Sequence, residues 1–245
     1  MSNHQGDNFY NEKYNDSAWL AQREKDAKGL LRKIKGLNCF QKESTVLDVG
    51  CGSGELGREI GRQFGSRVAG IDRNEIAISR ARENGLEATK GDLDGPWPYL
   101  DSSFDVIIGA EIIEHVVNPD NLLREAHRLL KPSGYLVLTT PNLGAWFNRI
   151  IFLFGYQPFF AEVSTVDKTI GLSFTRRLTP NRQPVGHIRC FTLKALREIV
   201  LFYGFKIILV RGSAVYYLPR YMKIFDRLFK FFPSLSADIL LVAKK

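Results

Sequence analysis

The sequence predicts a doubly wound α/β fold, in which helices cover both faces of a mainly parallel sheet. Short apolar runs alternate along the chain with stretches of helical spacing, and this alternation is typical of strand–helix–strand units. The first apolar run, Thr45–Val49, ends directly in a glycine-rich segment. The length of 245 residues suits one α/β domain with insertions.

The individual elements follow from apolar periodicity and from stop signals. A helix is expected over residues 17–36, and Lys131–Gly134 is expected to end a helix and form a turn. A buried parallel strand is predicted at Thr45–Val49, and further strands at Arg67–Ile71, Leu86–Lys90, Phe104–Ala110, Tyr135–Thr140, Phe205–Val210 and Ile239–Ala243. The helices between them are predicted at Glu55–Phe64, Glu75–Glu83, Pro119–Leu130 and Leu193–Tyr203.

We expect a single domain over residues 1–245, with three additions to the basic alternation. An N-terminal helical segment occupies residues 1–40, and an insertion or lid occupies 142–190, which Pro141 begins by interrupting the strand ladder. A basic aromatic segment, 212–236, precedes the last strand. The insertion and the basic segment both contain aromatic residues at helical spacing with interleaved Arg or Lys. Such helices can lie in a membrane interface, cover a hydrophobic substrate, bind nucleic acid, or pack on their own core.

Composition narrows the classes of protein. The net charge of +8 favours anionic partners such as phosphates, nucleic acid or a lipid surface, although it also fits ordinary solubilising charge. No apolar run approaches the ~20 residues of a membrane span, and the N-terminus lacks a signal-peptide core. A cytoplasmic protein is therefore expected. The three cysteines, Cys39, Cys51 and Cys190, form no Cys-x-x-Cys pair, so neither a disulfide framework nor a zinc–thiolate site is expected.

The segment Val46–Gly57, VLDVGCGSGELG, predicts a ligand site at the end of the first strand. Glycines let the backbone approach a ligand closely, and the following helix directs free N–H groups at it. Gly52–Gly57 also fits Gly-x-Gly-x-x-Gly, with Asp72 twenty residues later, so a dinucleotide must be considered. Asp48 argues against it, because a carboxylate repels a pyrophosphate but attracts the amino group and sulfonium of S-adenosylmethionine.

This segment resembles the first motif of class I S-adenosylmethionine-dependent methyltransferases, and residues ~40 to ~140 carry the later motifs in order. The resemblance implies a Rossmann-like sheet of seven strands with the last one antiparallel. It implies that Asp48 and the loop hold the methionine part, that Asp72 takes the ribose hydroxyls, and that Asp92 accepts from the adenine amino group. Asp72 and Asp92 can alternatively cap the loops in which they stand. The implied cofactor contacts are Asp48, Gly50, Cys51, Gly52, Gly54, Asp72, Arg73, Asp92, Leu93 and Glu111.

A second motif, Glu111–His115 (EIIEH), follows the fourth strand, and positions i, i+3 and i+4 share a face if this segment is helical. Glu114 and His115 are the candidate catalytic residues. The motif resembles the Glu-x-x-Glu-His of ubiquinone-biosynthesis O-methyltransferases and small-RNA 2′-O-methyltransferases. The resemblance implies a Mg²⁺-like ion held by Glu111, Glu114 and His115 with a later histidine, here His187. Base catalysis by His115, lining of the pocket and a purely structural role are the alternatives.

The chemical class of the methyl acceptor is inferred mainly by excluding other classes of methyltransferase. The Asn/Asp-Pro-Pro-aromatic loop of many amino-group methyltransferases is absent after the fourth strand, and so is the Pro-Cys nucleophile of cytosine carbon methyltransferases. We therefore expect O-methylation of a small-molecule, quinone-like, lipid-like or glycan-lipid hydroxyl, with contact to a membrane periphery. The alternatives are an RNA 2′-O-methyltransferase, an NAD-dependent oxidoreductase and a non-catalytic cofactor-binding module. The sequence leaves the substrate and the oligomeric state open.

Overall fold

The computed structural model describes residues 16–177, 179, 181–213, 229 and 231–245. Most of the basic aromatic segment predicted at 212–236 lies outside the described residues, as do the first fifteen residues of the N-terminal segment. Within the described part, no helix combines the length and the hydropathy needed to cross a bilayer.

Seven strands form one sheet in the order β3-β2-β1-β4-β5-β7-β6. The last strand, β7, runs antiparallel to its neighbours, so the seven-stranded Rossmann-like prediction is confirmed. The strands are β1 Thr45–Val49, β2 Arg67–Asp72, β3 Glu87–Lys90, β4 Phe104–Ala110, β5 Leu130–Pro141, β6 Lys206–Ser213 and β7 Asp238–Lys244. The helices are α1 Ser17–Ile34, α2 Glu55–Phe64, α3 Glu75–Glu83, α4 Pro119–Leu129, α5 Trp146–Leu153 and α6 Leu193–Phe202, with a short 3₁₀ turn at Ser173–Thr175.

The chain divides into two compact units, the first formed by residues 1–109, 124–136 and 245. Its centre is β1, which pairs in parallel with β2 on one side and with β4 on the other. Val46 and Leu47 are fully buried, as expected for a strand covered on both faces. Because β1 is central and parallel, its carboxyl end, where Asp48 stands, leads straight into the glycine-rich loop.

The helix α1 belongs to the same unit and carries charged side chains to α2. Asp16 caps it, since its Oδ1 accepts from the N–H of Ala18 at 2.8 Å. One stripe of α1, including Leu30 and Ile34, is buried. On another part of the helix, Glu24 pairs with Arg58 of α2 at 2.6 Å. This packing holds α1 against the helix that follows the glycine-rich loop.

The strand β5 differs from the prediction at its beginning. It begins at Leu130, directly after α4, so the turn predicted at Lys131–Gly134 is the first part of the strand instead. Pro132 and Gly134 favour a break, but the surroundings supply partners for an extended chain. Lys131 pairs with Asp105 at 2.8 Å, and the Gly134 carbonyl accepts from the N–H of Lys245 at 3.0 Å.

The second compact unit comprises residues 110–123 and 137–244. Its sheet portion includes the end of β5 and the antiparallel pair β6–β7, which has a register irregularity between Ile207 and Leu209. The predicted insertion, 142–190, lies in this unit. It contains α5, whose Phe147 packs edge-on to Phe159 with ring centroids 5.6 Å apart. The insertion therefore has apolar contacts of its own.

Asn142 connects the start of the insertion to the segment before β7. This residue is completely buried, and its side-chain amide donates to the carbonyls of Pro233, Ser234 and Ser236 at 3.3, 3.3 and 2.8 Å. Its Oδ1 accepts from the N–H of Gly144 at 2.9 Å. These contacts give Asn142 a structural role, since every polar atom of the amide is engaged within the chain.

Replacing Asn142 with Ala removes a donor from the carbonyl of the buried Ser236 and from the partly buried contacts with Pro233 and Ser234. We expect Asn142→Ala to lower the free energy of unfolding by about 2–3 kcal/mol, because buried acceptors without partners keep their desolvation cost. Thermal denaturation followed by circular dichroism measures the change, with the exposed Asn181→Ala as control. A variant of unchanged midpoint that lost turnover would instead place Asn142 in the substrate site.

Candidate active site

The loop between β1 and α2 has left-handed backbone at three glycines. The φ angle is 71° at Gly50, 54° at Gly52 and 81° at Gly54, values that residues with a Cβ adopt only with strain. Gly54 is the N-cap of α2 and supplies no side chain to that helix end. The N–H of Gly57, in the first turn of α2, instead hydrogen-bonds the carboxyl group of Asp48. The loop thus curves around the end of β1.

Asp48 is a buried carboxyl group with an unused oxygen. Only 2% of the residue is exposed, and its Oδ2 has no hydrogen-bond partner among the described residues. The pKa of Asp48 is raised to about 7, mainly by burial and also by the neighbouring acids Glu55 and Asp72, while Arg23 opposes the shift. A cation brought to this oxygen would relieve the desolvation cost.

Asp72 closes the loop from the neighbouring strand β2. Its Oδ2 accepts from the N–H of Gly52, and its Oδ1 accepts from the N–H of Asn74, both at 2.9 Å. Each carboxylate oxygen keeps a further lone pair, so these contacts leave capacity for vicinal hydroxyls. Arg73 is exposed immediately after it. The loop-capping alternative for Asp72 and the cofactor contact are therefore compatible.

The remaining predicted contacts on this side lie after β3 and in the loop. Asp92 is exposed, and its Oδ1 accepts from the N–H of Asp94 at 3.0 Å, which is the local capping that the sequence left as an alternative. Leu93 beside it is buried. Cys51 is also buried, and burial, together with the charge of Asp48, raises the pKa of its thiol. The thiol is therefore protonated and packs as an apolar group.

Two charged residues at this site were missed by the sequence analysis. Glu55 is buried in the first turn of α2, where its Oε1 accepts from the Ser53 hydroxyl at 2.5 Å. Arg23 of α1 contacts the other oxygen of Glu55 at 3.2 Å. Glu55 stands inside the glycine motif, so its position in the sequence could have predicted that it lies at this site. Arg23 lies thirty-two residues before Glu55, and nothing in the sequence links the two.

A second group of chemistry-bearing side chains lies in the other compact unit. Ligating atoms of Glu114, His115 and His187 all lie within 4.8 Å of one another. Glu114 is buried and its Oε2 accepts from the Thr140 hydroxyl at 2.9 Å, while its Oε1 has no hydrogen-bond partner in the described chain. The Nε2 atom of His115 is 3.9 Å from that Oε1, too far for a hydrogen bond.

His187 reaches this cluster because the end of the insertion is hydrogen-bonded to the turn that carries Glu114. The carbonyl of Glu114 accepts from the N–H groups of Ile188 at 2.8 Å and Arg189 at 3.0 Å. The rings of His115 and His187 are consequently 4.9 Å apart between centroids. The two motifs are more than seventy residues apart in sequence, so the fold supplies a proximity that the spacing could not show.

Glu111 does not join the cluster. The predicted helical turn over Glu111–His115 is wrong, because Glu111 has a left-handed φ of 52° and the turn runs only from Ile112, whose carbonyl accepts from the N–H of His115 at 2.9 Å. The i, i+3 relation of Glu111 and Glu114 therefore does not put them on one face. Glu111 is exposed, and its N–H donates to Thr139.

Backbone carbonyls fix the protonation of both imidazoles. His115 Nδ1 lies 3.0 Å from the carbonyl of Gly186, and His187 Nδ1 lies 3.2 Å from the carbonyl of Phe160. A carbonyl only accepts, so each Nδ1 carries the hydrogen and each neutral ring presents an unprotonated Nε2. Burial lowers the pKa of His187, which favours its neutral form.

Glu114 has the opposite shift. Burial raises its pKa well above the ordinary value, and the charges of Glu111 and Asp238 add to this effect. The Thr140 hydroxyl counteracts it by donating to the carboxyl group. A cation between Glu114 and the two imidazoles would favour the carboxylate form, and neutral imidazole nitrogens with carboxylate oxygen are ligands for a borderline or hard divalent ion.

Residues 19–210 match the methyltransferase domain family. The chain belongs to that family. Its class is that of the S-adenosylmethionine-dependent methyltransferases, which confirms the resemblance noted in the sequence. The match covers most of the chain and both groups of side chains, and it decides against the dinucleotide-binding alternative.

Curated relatives of this methyltransferase include two ubiquinone biosynthesis O-methyltransferases. The one from Xanthomonas oryzae pv. oryzae is 32% identical over 151 residues, 55% of this chain and 63% of the relative. The one from Pseudomonas paraeruginosa is 38% identical over 107 residues, 40% of this chain and 44% of the relative. The chain therefore matches less than two thirds of the length of these relatives.

Solved structures share the fold of the methyltransferase. A SAM-dependent methyltransferase from Archaeoglobus fulgidus aligns with a TM-score of 0.60 and 20% identity, over 94% of this chain and all of that one. A possible histamine N-methyltransferase from Thermotoga maritima aligns with a TM-score of 0.58 and 18% identity, over 88% of each chain. At these identities the likeness establishes the fold.

S-adenosylmethionine is the cofactor that the family implies, and the first group of side chains fits it. The unused Oδ2 of Asp48 suits the positive amino group, and the guanidinium of Arg23 is a positive group that would suit the carboxylate of the cofactor. Asp72 retains lone pairs for hydroxyl donors. When bound, the cofactor supplies an electrophilic methyl group on sulfur.

Removing the charge of Asp48 should have opposite effects on the stability of the fold and on the affinity for the cofactor. The folded carboxyl, with a pKa of about 7, keeps a proton that the unfolded one releases near pH 4, so wild-type stability falls as pH rises through this window. We expect Asp48→Asn to raise the free energy of unfolding at pH 8 by up to about 4 kcal/mol, with the gain vanishing near pH 4. Affinity for S-adenosylmethionine should fall at least about tenfold.

Denaturant unfolding across pH and titration calorimetry with S-adenosylmethionine measure the two effects. Asp105→Asn is the matched control, because hydrogen bonds from Lys131 and Thr45 outweigh the burial of Asp105 and lower its pKa, so this variant should lose stability. A wild-type affinity retained by Asp48→Asn would remove Asp48 from the cofactor site.

Proposed function

We propose that this methyltransferase transfers a methyl group to a hydroxyl oxygen of a lipid-like or quinone-like acceptor. The observation that carries the proposal is the cluster of Glu114, His115 and His187, in which both imidazoles present unprotonated Nε2 atoms. A hydroxyl attacks a methyl carbon more readily when a neighbouring group accepts its proton or lowers its pKa. This cluster offers such a group. The relatives named as O-methyltransferases support the same acceptor atom.

The reaction is a direct displacement at the methyl carbon. The acceptor oxygen forms a bond to the methyl carbon while the sulfur–methyl bond breaks, and the electron pair of that bond leaves with S-adenosylhomocysteine. The hydroxyl proton passes to an imidazole Nε2, for which His115 is our candidate. The Gly186 carbonyl would stabilise the resulting imidazolium through Nδ1–H. The protein's other contribution is to position the reactants.

The same residues suit a divalent ion, as the resemblance implies. Glu114, His115 and His187 would hold it, whereas Glu111 lies outside the cluster. Metal-binding histidines usually donate their second N–H to a carbonyl or carboxylate, and both histidines here do so. A bound Mg²⁺-like ion would supply a Lewis acid that lowers the pKa of the acceptor hydroxyl.

Glu114→Gln tests the role of the cluster, and excess chelator distinguishes base catalysis from the use of an ion. The variant keeps the size of the side chain and an acceptor for Thr140 but cannot carry negative charge. We expect methyl transfer to fall by about 10²-fold or more, and excess chelator to reduce wild-type activity similarly if an ion is used. Labelled cofactor incubated with quinol, lipid and RNA extracts provides the assay, and the exposed Glu198→Gln is the control.

The outcomes of the chelator, variant and labelling experiments distinguish the alternatives. Full activity in excess chelator, combined with loss in His115→Ala, would favour base catalysis and remove the ion. Full activity in both Glu114→Gln and His115→Ala would contradict the proposed role of the whole cluster. Label that entered only RNA would replace the lipid-like acceptor by a ribose hydroxyl.

The surface of the insertion supports an acceptor taken from a membrane. At the end of α5, Phe152, Leu153 and Phe154 are 67%, 84% and 75% exposed, and we call these three residues the apolar tip. The insertion, residues 142–190, carries six basic and two acidic side chains. Exposed aromatic residues flanked by basic ones suit the interface of an anionic bilayer.

The acidic side chains of the insertion offset only part of this charge. Asp167 pairs with Arg176 at 3.3 Å and with Arg182 at 3.5 Å, whereas Glu162 accepts from backbone N–H groups. The basic side chains still outnumber the acidic ones. Tyr156, two residues after the apolar tip, contacts Phe174 edge-on with ring centroids 4.9 Å apart, and the basic residues Arg176 and Arg177 follow Phe174 closely in the chain. Apolar and basic groups therefore belong to the same part of the insertion.

Polar substitution of the apolar tip tests this surface. We expect Phe152→Ser with Phe154→Ser to reduce sedimentation with vesicles of anionic phospholipid by about tenfold, because two aromatic side chains leave the interface. Phe202→Ser, at an exposed site on α6, is the matched control. Wild-type protein that failed to bind anionic vesicles at low salt would contradict a membrane role for this surface.

A further inference from the structure

Glu162, within the insertion, binds three consecutive backbone N–H groups. Its Oε1 accepts from Val185 at 2.7 Å, and its Oε2 accepts from Gly186 at 2.8 Å and from His187 at 3.3 Å. These partners lie twenty-three to twenty-five residues further along the chain. Hydrogen bonds to a charged acceptor are roughly twice as strong as neutral ones. The contact therefore closes a long loop at its end.

The three residues held by Glu162 include one of the two histidines and the carbonyl that orients the other. The carbonyl of Gly186 accepts from Nδ1 of His115, and His187 itself is the third residue. Two residues before Glu162, the carbonyl of Phe160 accepts from Nδ1 of His187. Phe160 has a left-handed φ of 76°, a strained conformation for a residue with a bulky side chain. The segment 160–162 thus contacts His187 directly and His115 indirectly, through Gly186.

We propose that Glu162 is a positioning residue, whose carboxylate fixes the Nδ1–H tautomers of His115 and His187. The inference rests on the proposed function of the Glu114–His115–His187 cluster. Without the carboxylate, the 185–187 backbone would lose its common acceptor, and the Gly186 carbonyl would no longer be held opposite His115. The imidazoles would then redistribute between Nδ1–H and Nε2–H forms, and only the former can accept a proton or bind an ion through Nε2.

Glu162→Ala and Glu162→Gln test the proposal, and imidazole nitrogen NMR reports the tautomers directly. In wild-type protein His115 and His187 should both be Nδ1–H. In Glu162→Ala we expect a mixture of tautomers and a fall in kcat of at least tenfold, with unchanged affinity for S-adenosylmethionine. Glu162→Gln retains one acceptor oxygen and should lie between the two. The signals are assigned with His115→Ala and His187→Ala.

Asp167→Asn is the matched control. Asp167 lies in the same insertion and likewise accepts from loop backbone, at Thr169 N at 2.8 Å, but it does not contact residues 185–187. This variant should keep the wild-type tautomers. If it scrambled them equally, general loosening of the insertion would explain the effect and Glu162 would have no specific role.

The remaining outcomes separate this inference from the proposed function. Unchanged tautomers in both Glu162 variants would overturn the positioning role, whatever happened to activity. Mixed tautomers with full activity would uphold the positioning role while contradicting the catalytic role of the histidines. If Glu162→Ala failed to fold, the tautomers and kcat of Glu162→Gln would decide by the same criteria.

Discussion

The desolvation of one carboxyl group, that of Asp48, is the constraint on which the cofactor side of this protein depends. Burial at the end of the central strand leaves Oδ2 without a partner and raises the pKa of Asp48 to about 7. Such a group destabilises the empty protein at neutral pH and becomes favourable when a cation arrives. Gly50 and Gly52, with Asp72 bound to the loop, maintain this arrangement.

The second group of side chains is assembled by backbone acceptors. The carbonyls of Gly186 and Phe160 determine which nitrogen of each imidazole is protonated, and the carbonyl of Glu114 holds the end of the insertion. The insertion is therefore more than a cover, since it contributes His187 and orients His115. In the proposed reaction, a segment that interrupts the strand–helix alternation would therefore take part in the chemistry.

The fold was predictable because apolar runs and glycine stops are local signals, and β1, β2 and β4 lie where the alternation placed them. The beginning of β5 was not, since its partners Asp105 and Lys245 are distant in sequence. Distance along the chain also limited the prediction of the site. Asp48 and Glu114 each stand in a recognisable motif, whereas Arg23 and Glu162 reach their sites only through tertiary contacts. The left-handed backbone of Glu111 gave no signal in the sequence.

The tautomers of His115 and His187 also bear on the fate of the product. An Nε2 atom without hydrogen can recognise an alcohol through its O–H, but an ether has no hydrogen to donate. In the proposed reaction, methylation would thus remove the O–H group by which the two imidazoles would hold the reactant. The unmethylated reactant would therefore bind more tightly than the methylated product. Product release would then need no separate conformational step.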